Sequence, residues 1–488
     1  MGGLSQVLLV LGGLLLVVEV LVRVVAMVVV PRGRRPSAAL AWLLAVFFVP
    51  IVGALFFLLI GNPKLPRGRR DKQATMDSMI RGVVERSGDI VEPISSPAWI
   101  LPVVRLNQKL GSMPMMTGNR AAMMTNYAEQ VASLTDAVRI AVRTVHVEFY
   151  ILSHDDTTAP FFTALADAVA RGVSVRVLLD HMGSRPYPGY KSAIDALNRA
   201  GVAWRLMLPF QPLRGHYQRP DLRNHRKLLV VDGDIAFLGS INMIDRSYDK
   251  RRNLARGLQW QDALVRLTGP VVSAVDALFL TDWYSETGEL VAPAADRHLQ
   301  PLPDGTSQCQ IVPSGPGFPE ENNLKLFNSL MYGAQRRLGV TSPYFVPDES
   351  LLQAVTSAAQ RGVSVELFVS EIGDQALVFH AQRSYYEDLL RAGVRIWLYP
   401  APFILHAKHV TVDEDVTVIG SSNMDIRSFQ LDLEVSLLVC GRDFTDQVRA
   451  AEDGYRRLSR ELTLTEWQRR SRTSEALDGL ARLTSALQ

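Results

Sequence analysis

Residues 225–242 read HRKLLVVDGDIAFLGSIN, and residues 406–423 read HAKHVTVDEDVTVIGSSN. Both copies fit H-x-K-x-x-x-x-D, and in both a G-S-x-N follows with its glycine seven positions after the aspartate. The duplication extends upstream: ARGVSVRVLLD at 170–180 matches AQRGVSVELFVS at 359–370, and LNRAGVAWRL at 197–206 matches LLRAGVRIWL at 389–398. Each matched piece reads as a helix end, a glycine-containing cap and a buried β-branched strand. Internal repetition constrains the fold more than composition does, because one supersecondary plan must be built twice in the same order. From about residue 130 helical and strand-like segments alternate, which predicts an α/β chain of two pseudo-symmetric lobes, each a mixed β-sheet flanked by helices.

Residues two apart on an extended strand project to one face, so His225 with Lys227, and His406 with Lys408, each set an imidazole beside an ammonium. That pairing suits phosphate chemistry. Lysine supplies a point charge for non-bridging oxygens, and a neutral imidazole attacks phosphorus or carries a proton. Asn242 and Asn423, with Ser240 and Ser421 nearby, are candidate donors to the charge that accumulates on the phosphate. Asp232 and Asp413 each sit between two apolar runs, where a hairpin turn uses a carboxylate on its own backbone; direct participation and this structural role stay equally open. Asp262 in WQDALVRL and Glu434 in LDLEVSLLV occupy matching places on the next strand of each half and are the candidates to orient the histidines. Packed about a pseudo-two-fold axis, the halves would bring one nucleophile and one general acid to opposite sides of a phosphorus. The scheme calls for no metal and no cofactor. His146, His154, His181, His216, His380 and His409 read as ordinary surface or core histidines.

Upstream of the repeat, residues 4–30 form an apolar run interrupted by Glu19 and Arg23, four apart and so able to pair on a helix. After the break PRGRRP, residues 37–60 form a second run with no charge. Each is long enough to cross the ~30 Å hydrocarbon layer, which predicts a membrane hairpin. The start of the chain lacks the basic, short-cored pattern of a cleaved signal peptide, so the segment is expected to be retained. Arg32, Arg34 and Arg35 stand in the connection; Lys64, Arg67, Arg69, Arg70 and Lys72 follow the second run and favour a cytoplasmic soluble body.

The 488 residues are 48% hydrophobic and 21% charged, leaving two ordinary domains beyond the membrane segments and excluding general disorder. A net charge of +3 is too balanced for nucleic acid to be the main partner but fits an anionic membrane surface. Cys309 and Cys440 form no metal-type spacing and read as buried hydrophobes. The methionines of SMPMMTGNRAAMMTNY at 112–127 read first as core filling and second as an acyl-chain path. The basic helical segment from about residue 443 reads as packing on the second lobe.

With these residues in view the chain resembles the phospholipase D superfamily, whose two H-x-K-x-x-x-x-D motifs are highly specific. Within it the chain is similar to the bacterial cardiolipin synthases, through GNPKLPRGRR, VHVEFYIL, RNHRKLLVVDG, FLTDWYSETGE, TSPYFVPDE and GSSNMDIRSFQLDLEVSLLV. The resemblance implies two phospholipase D-type lobes at 73–300 and 301–488 behind a membrane hairpin and basic linker at 1–72. It implies that one phosphatidylglycerol is attacked at phosphorus, glycerol leaves, and the terminal hydroxyl of a second phosphatidylglycerol resolves a phosphatidyl-histidine. By the same analogy His225 is the nucleophile and His406 the general acid and then base, although the pseudo-symmetry also allows the reverse. The implied partners are phosphatidylglycerol and other anionic phospholipids in a bacterial plasma membrane, with a homodimer left open. Asp221 before the first motif and His409 inside the second depart mildly from the family pattern. Hydrolysis by the same chemistry, as a phospholipase D or a nuclease, and a silent membrane scaffold are the competing readings; the anchor opposes the nuclease and the two intact motifs oppose the scaffold.

Overall fold

The computed structural model describes residues 2–34, 36–61, 65–87, 97–211, 219–292, 300–318 and 320–483. Arg35, Lys64 and His216 lie outside the described residues. The chain divides into two compact units, 1–64 with 219–221, and 65–218 with 222–488.

In the first unit, α1 (Gly2–Val29) is one unbroken helix, and its Leu9–Val29 portion is the single stretch among the described residues long and apolar enough to cross a bilayer. Glu19 and Arg23 pair on it at 3.3 Å, as their spacing predicts. The second apolar run departs from expectation. It is split into α2 (Pro36–Phe48) and α3 (Pro50–Ile60), of 13 and 11 residues, each reaching only about 16–20 Å at ~1.5 Å per residue. The cause is Pro50, which has no N–H to continue the helix and keeps Val49 out of the helical region (φ −135°, ψ 74°). The two short helices fold back on each other, with the Trp42 and Phe57 rings 5.5 Å apart. Gly53 permits this approach, since a Cβ there would meet the Ala45 carbonyl oxygen at 2.5 Å.

The second unit is built on a 16-stranded mixed sheet with short satellite strands. Its first half supplies β1 (Met116–Met124), β2 (Thr144–Phe149), β3 (Ser174–Asp180), β4 (Ala203–Met207), β5 (Arg223–Asn224), β6 (Lys227–Val231), β7 (Ile235–Gly239), β8 (Gln259–Gln261) and β9 (Leu264–Thr268). The second half supplies β10 (Ser307–Ser314), β11 (Arg337–Thr341), β12 (Phe345–Val346), β13 (Ser364–Ser370), β14 (Arg395–Tyr399), β15 (Phe403–Leu405), β16 (His409–Val412), β17 (Val416–Gly420), β18 (Met424–Asp425), β19 (Asp432–Cys440) and β20 (Arg460–Leu462). Outward from the β1–β10 pair, the order is β9-β7-β6-β2-β3-β4 on one side and β19-β17-β16-β11-β13-β14-β20 on the other. On both sides the outer three of the repeated strands run parallel and the inner ones antiparallel.

Two long helices cover the middle of the sheet. Val271–Thr287, ended by Gly288 in the left-handed region (φ 75°), lies across β1, β2, β6, β7, β9 and β10, and Arg442–Leu458 lies across β1, β13, β14, β16, β17 and β19. Central side chains from both halves, among them Leu228, Leu238, Val265, Leu437 and Val439, share one apolar cluster. Met113 and Met115 are buried in the core, in keeping with gap filling, and both cysteines are buried and free.

The basic stretch after the membrane segment belongs to this second unit. Arg69 is buried and pairs with Glu286 at 2.5 Å, and Lys72 donates to the Ser285 carbonyl at 3.2 Å. These two cations are tied into the body, while Arg67 and Arg70 are exposed.

Candidate active site

Each H-x-K sits in the extended connection just before a central strand, not inside it: Lys227 opens β6, and Lys408 immediately precedes β16. The spacing still sets the two side chains together. The Lys227 ammonium donates back to the His225 carbonyl, and Lys408 Nζ donates to the His406 carbonyl at 2.6 Å.

What holds the histidines comes from the opposite half. β5, just before His225, pairs in parallel with β19, and the His225 N–H donates to the Leu433 carbonyl at 2.9 Å. β15, just before His406, pairs in parallel with β8, and the His406 N–H donates to the Gln261 carbonyl at 2.8 Å. These exchanged strands deliver the next residue of the partner strand, a carboxylate, to each imidazole. His225 Nδ1 lies 2.9 Å from Glu434 Oε1, and His406 Nδ1 lies 2.7 Å from Asp262 Oδ1. The sequence places each carboxylate on the strand of its own half; the fold gives it to the histidine of the other. With both Nδ1 atoms engaged, Nε2 is the nitrogen each ring has left for chemistry.

The serines of G-S-x-N are not aimed at a phosphate. Ser240 Oγ donates to Asp262 Oδ1 at 2.6 Å and accepts the Ala263 N–H at 2.9 Å, while Ser421 Oγ donates to Glu434 Oε2 and accepts the Val435 N–H at 3.0 Å. They clamp the orienting carboxylates. Asn242 is also spent, its Oδ1 accepting the Ile151 N–H at 3.2 Å and its amide donating to the Tyr248 hydroxyl at 2.8 Å. Asn423 is buried, and its Oδ1 has no partner among the described residues.

Asp232 and Asp413 stand at the far ends of their strands, five residues and roughly 16 Å from the lysines at ~3.3 Å per residue. Both adopt positive φ at the hairpin turn (57° and 47°). The Asp232 carboxylate accepts the N–H groups of Val142, Arg143 and Thr144 at 2.7–2.9 Å, and Asp413 accepts those of Gln335, Arg336 and Arg337. The geometry gives them to the backbone of the neighbouring strand and not to the imidazoles.

Both imidazoles are nearly shielded from solvent in the chamber they would share, with His225 and His406 only 8% and 5% exposed. Burial, followed by Lys227, Lys408, His406 and Arg427, holds His225 well below the usual imidazole range. Burial and Lys408 also lower His406, against the opposing pull of Asp262. That each histidine feels the lysine of the other half places all four groups in one electrostatic environment. Burial brings Lys227 down to about 7 and Lys408 to about 8, with Glu434 and Asp262 resisting both shifts. The carboxylates diverge. Burial pushes both upward, but His406 and Lys408 hold Asp262 below its ordinary value, whereas Glu434 stays well above, Lys227 notwithstanding.

A family model described as "Cardiolipin synthase, PLD-like domain" matches residues 134–283 and 328–452, together more than half of the chain. The chain belongs to the cardiolipin synthase family. A second model, "Phospholipase D-nuclease N-terminal", matches residues 20–62. The cardiolipin synthase of Geobacillus kaustophilus (strain HTA426) is 34% identical over 431 residues, covering 87% of this chain and 83% of that protein. Cardiolipin synthase A of Pectobacterium carotovorum subsp. carotovorum (strain PC1) is 32% identical over 470 residues, covering 95% and 94%. Among solved structures, the phosphatidylserine synthase of Haemophilus influenzae Rd KW20 has the same fold, with a TM-score of 0.58, 15% identity and coverage of 79% of this chain and all of that one. This family member is therefore an enzyme of the phospholipid transferase type that shares the mixed α/β phospholipase D-type fold.

Several residues of the chamber escape the H-x-K and G-S-x-N patterns. Tyr150 sets its ring 4.8 Å from His225, edge to face, with Lys227 Nζ 5.2 Å from its centre. Tyr248 lies 6.4 Å from the His406 ring. Arg427 bonds Asp432 at 3.2 Å and contributes positive charge at His225. The segments VHVEFYIL and NMDIRSF contain Tyr150 and Arg427, but nothing in their spacing says that a bend after β2 and the short helix Ile426–Gln430 carry them to the histidines. His146 meets Asp276 at 2.6 Å and His380 meets Asp478 at 2.7 Å, whereas His409 is buried 3.6 Å from Glu452 with neither ring nitrogen hydrogen-bonded among the described residues.

Proposed function

We propose that this chain is a cardiolipin synthase that transfers a phosphatidyl group between two phosphatidylglycerol molecules through a phosphohistidine at His225. The observation that carries the reading is the crossed pairing of His225 with Glu434 and of His406 with Asp262, which leaves two Nε2 atoms, one from each half, for one phosphodiester. His225 Nε2 attacks phosphorus, and the departing glycerol oxygen takes its proton from His406 Nε2. The primary hydroxyl of the second lipid then gives its proton to His406 and attacks the phosphohistidine, so that cardiolipin forms and His225 is restored.

The unequal carboxylates favour this division of labour over its reverse. The proton carrier must pass through an imidazolium, which an ionised partner stabilises, and Asp262 is the carboxylate held in that form. The nucleophile must be neutral, and His225 is the imidazole held furthest toward neutrality by burial and cations. Lys227 and Lys408 supply charge to the non-bridging oxygens, and Asn423 is the remaining amide for them. Asp232 and Asp413 are assigned a structural role, and Ser240, Ser421 and Asn242 a positioning one.

We read the two halves as pseudo-symmetric lobes, on the strength of their matching strand orders, and α1 as the membrane span. Phosphatidylglycerol incubated with the purified protein is expected to yield cardiolipin and free glycerol, with radiolabelled phosphate trapped as an acid-labile adduct at His225. Phosphatidic acid as the dominant product in lipid vesicles would replace the transferase reading with a hydrolase.

A further inference from the structure

Two histidines this deeply buried can receive lipid only if the rim of their chamber meets the bilayer, and one part of that rim has the chemistry to do so. Lys250, Arg251 and Arg252 form the single run of three consecutive cations in the chain. Arg251 and Arg252 open the short helix Arg251–Ala255, none of whose residues is buried, and Arg256 follows it exposed. Leu254 on that helix is 55% exposed, and Leu377, at the start of helix Ala376–Arg383 in the other half, is 51% exposed.

Contacts tie these segments together and to the chamber. Arg256 donates to the Gly373 carbonyl at 2.9 Å, joining the two segments. Lys250 Nζ lies 4.2 Å from the centre of the Tyr187 ring, Tyr187 lies 5.8 Å from Tyr248, and Tyr248 is the ring facing His406. Arg185, two residues before Tyr187, adds another exposed cation. Against these stand Asp249, with Asp155, Asp156 and Asp245 close enough to act on it, and Asp374, which accepts the Tyr344 hydroxyl at 3.0 Å; Asp245 is tied up by Ser247 and Thr157. A lone exposed leucine is unremarkable on any protein surface. Two of them, contributed by both halves among five cations at the border of the catalytic chamber, match the apolar-plus-basic chemistry that seats a segment at the headgroup and acyl boundary of an anionic bilayer.

We propose that residues 250–256, with Leu377, form a docking rim that seats the chamber against an anionic lipid surface. This rests on the lipid-transfer reading above, and the experiment has two arms so that the two can fail separately.

In the first arm, full-length protein carrying Leu254→Cys is labelled with an environment-sensitive dye and reconstituted into vesicles of phosphatidylcholine with 40 mol% phosphatidylglycerol. Both native cysteines are buried and do not compete for label. A blue-shifted emission quenched by brominated acyl chains is expected, reduced in pure phosphatidylcholine and absent for Leu458→Cys, an exposed leucine outside the rim. A water-like dye in anionic vesicles overturns the proposal. So does equal shielding in lipid-free detergent, which would mark a contact with a second copy.

In the second arm, Arg251→Glu combined with Arg252→Glu is expected to lower cardiolipin formation about tenfold in anionic vesicles and less than twofold with short-chain phosphatidylglycerol in detergent. Equal loss in both media, or no loss in vesicles, overturns the docking role. If wild-type protein made no cardiolipin in either medium, the transfer reading would fall while the dye arm still judged the docking.

Discussion

The two imidazole sites are held in matching ways and differ in the carboxylate at Nδ1, a glutamate for His225 and an aspartate for His406. His225 and His406 are approached by equivalent exchanged strands and are backed by equivalent serine-clamped acids. Yet the shorter acid, Asp262, stays below its ordinary pKa beside His406, while Glu434 is pushed well above its own beside His225. Burial lowers both imidazoles, His225 the further, so on the proposed reading it is the unequal acids that separate nucleophile from proton carrier.

The largest expected effect separates the two histidines directly. His225→Ala and His406→Ala should each reduce cardiolipin formation by at least about 10⁴, in the range of removed nucleophiles and of the strongest general acids. With a phosphatidyl donor bearing a p-nitrophenol leaving group, which departs without a proton, His406→Ala should recover at least about a hundredfold and His225→Ala should not. Recovery in His225→Ala instead would reverse the assignment.

Next in size comes the comparison of the acids. Asp262→Asn removes a charge that supports an imidazolium and should cost about 10³ in kcat/KM, while Glu434→Gln, replacing a carboxyl already disinclined to ionise, should cost about tenfold. Equal losses would mean that both histidines carry protons alike. The lysines sharpen the contrast through pH. An ammonium with a lowered pKa loses its charge as pH rises, so the KM for a short-chain anionic lipid should begin to climb near pH 7 as Lys227 discharges and steepen near pH 8 with Lys408. A KM flat from pH 6.5 to 9 would remove the lysines from phosphate binding. On the acid side His225, held well below 6.5, should remain an effective nucleophile at pH 6.

Much of this site could be read from the chain because its chemistry is local: H-x-K fixes imidazole beside ammonium within three residues, and the second copy supplies the second such pair. The pairing across the halves was not legible, since it depends on β5 and β15, two- and three-residue strands whose partners lie some 200 and 140 positions away. The serines misled for a related reason. Ser240 and Ser421 lie near the histidines in the motif, but each hydroxyl faces the following strand of its own half, where a buried carboxylate needs a donor more than a solvated phosphate does. In the membrane segment, hydropathy alone gave residues 37–60 as one span; Pro50 was visible, but only the packing of Trp42 on Phe57 shows that the break is a reversal and not a kink.

The smallest expected effect on turnover concerns the aspartates that complete the two motifs. Asp232 binds three consecutive backbone N–H groups at 2.7–2.9 Å, and Asp413 binds its three more loosely, with the Gln335 contact at 3.2–3.3 Å. Hydrogen bonds to a charged acceptor are worth about 1.5–3 kcal/mol each when lost outright, but asparagine tolerates the left-handed turn and keeps one acceptor oxygen. Asp232→Asn should therefore destabilise by about 2–3 kcal/mol and Asp413→Asn by about 1–2 kcal/mol, with kcat of the folded fraction within threefold of wild type. Thermal unfolding in detergent alongside turnover would separate the outcomes: a hundredfold loss of kcat at unchanged midpoint would return these carboxylates to the chemistry. A falling midpoint with intact kcat would instead show that the last residue of each motif anchors the strand β2 or β11 against which the catalytic strand β6 or β16 is aligned.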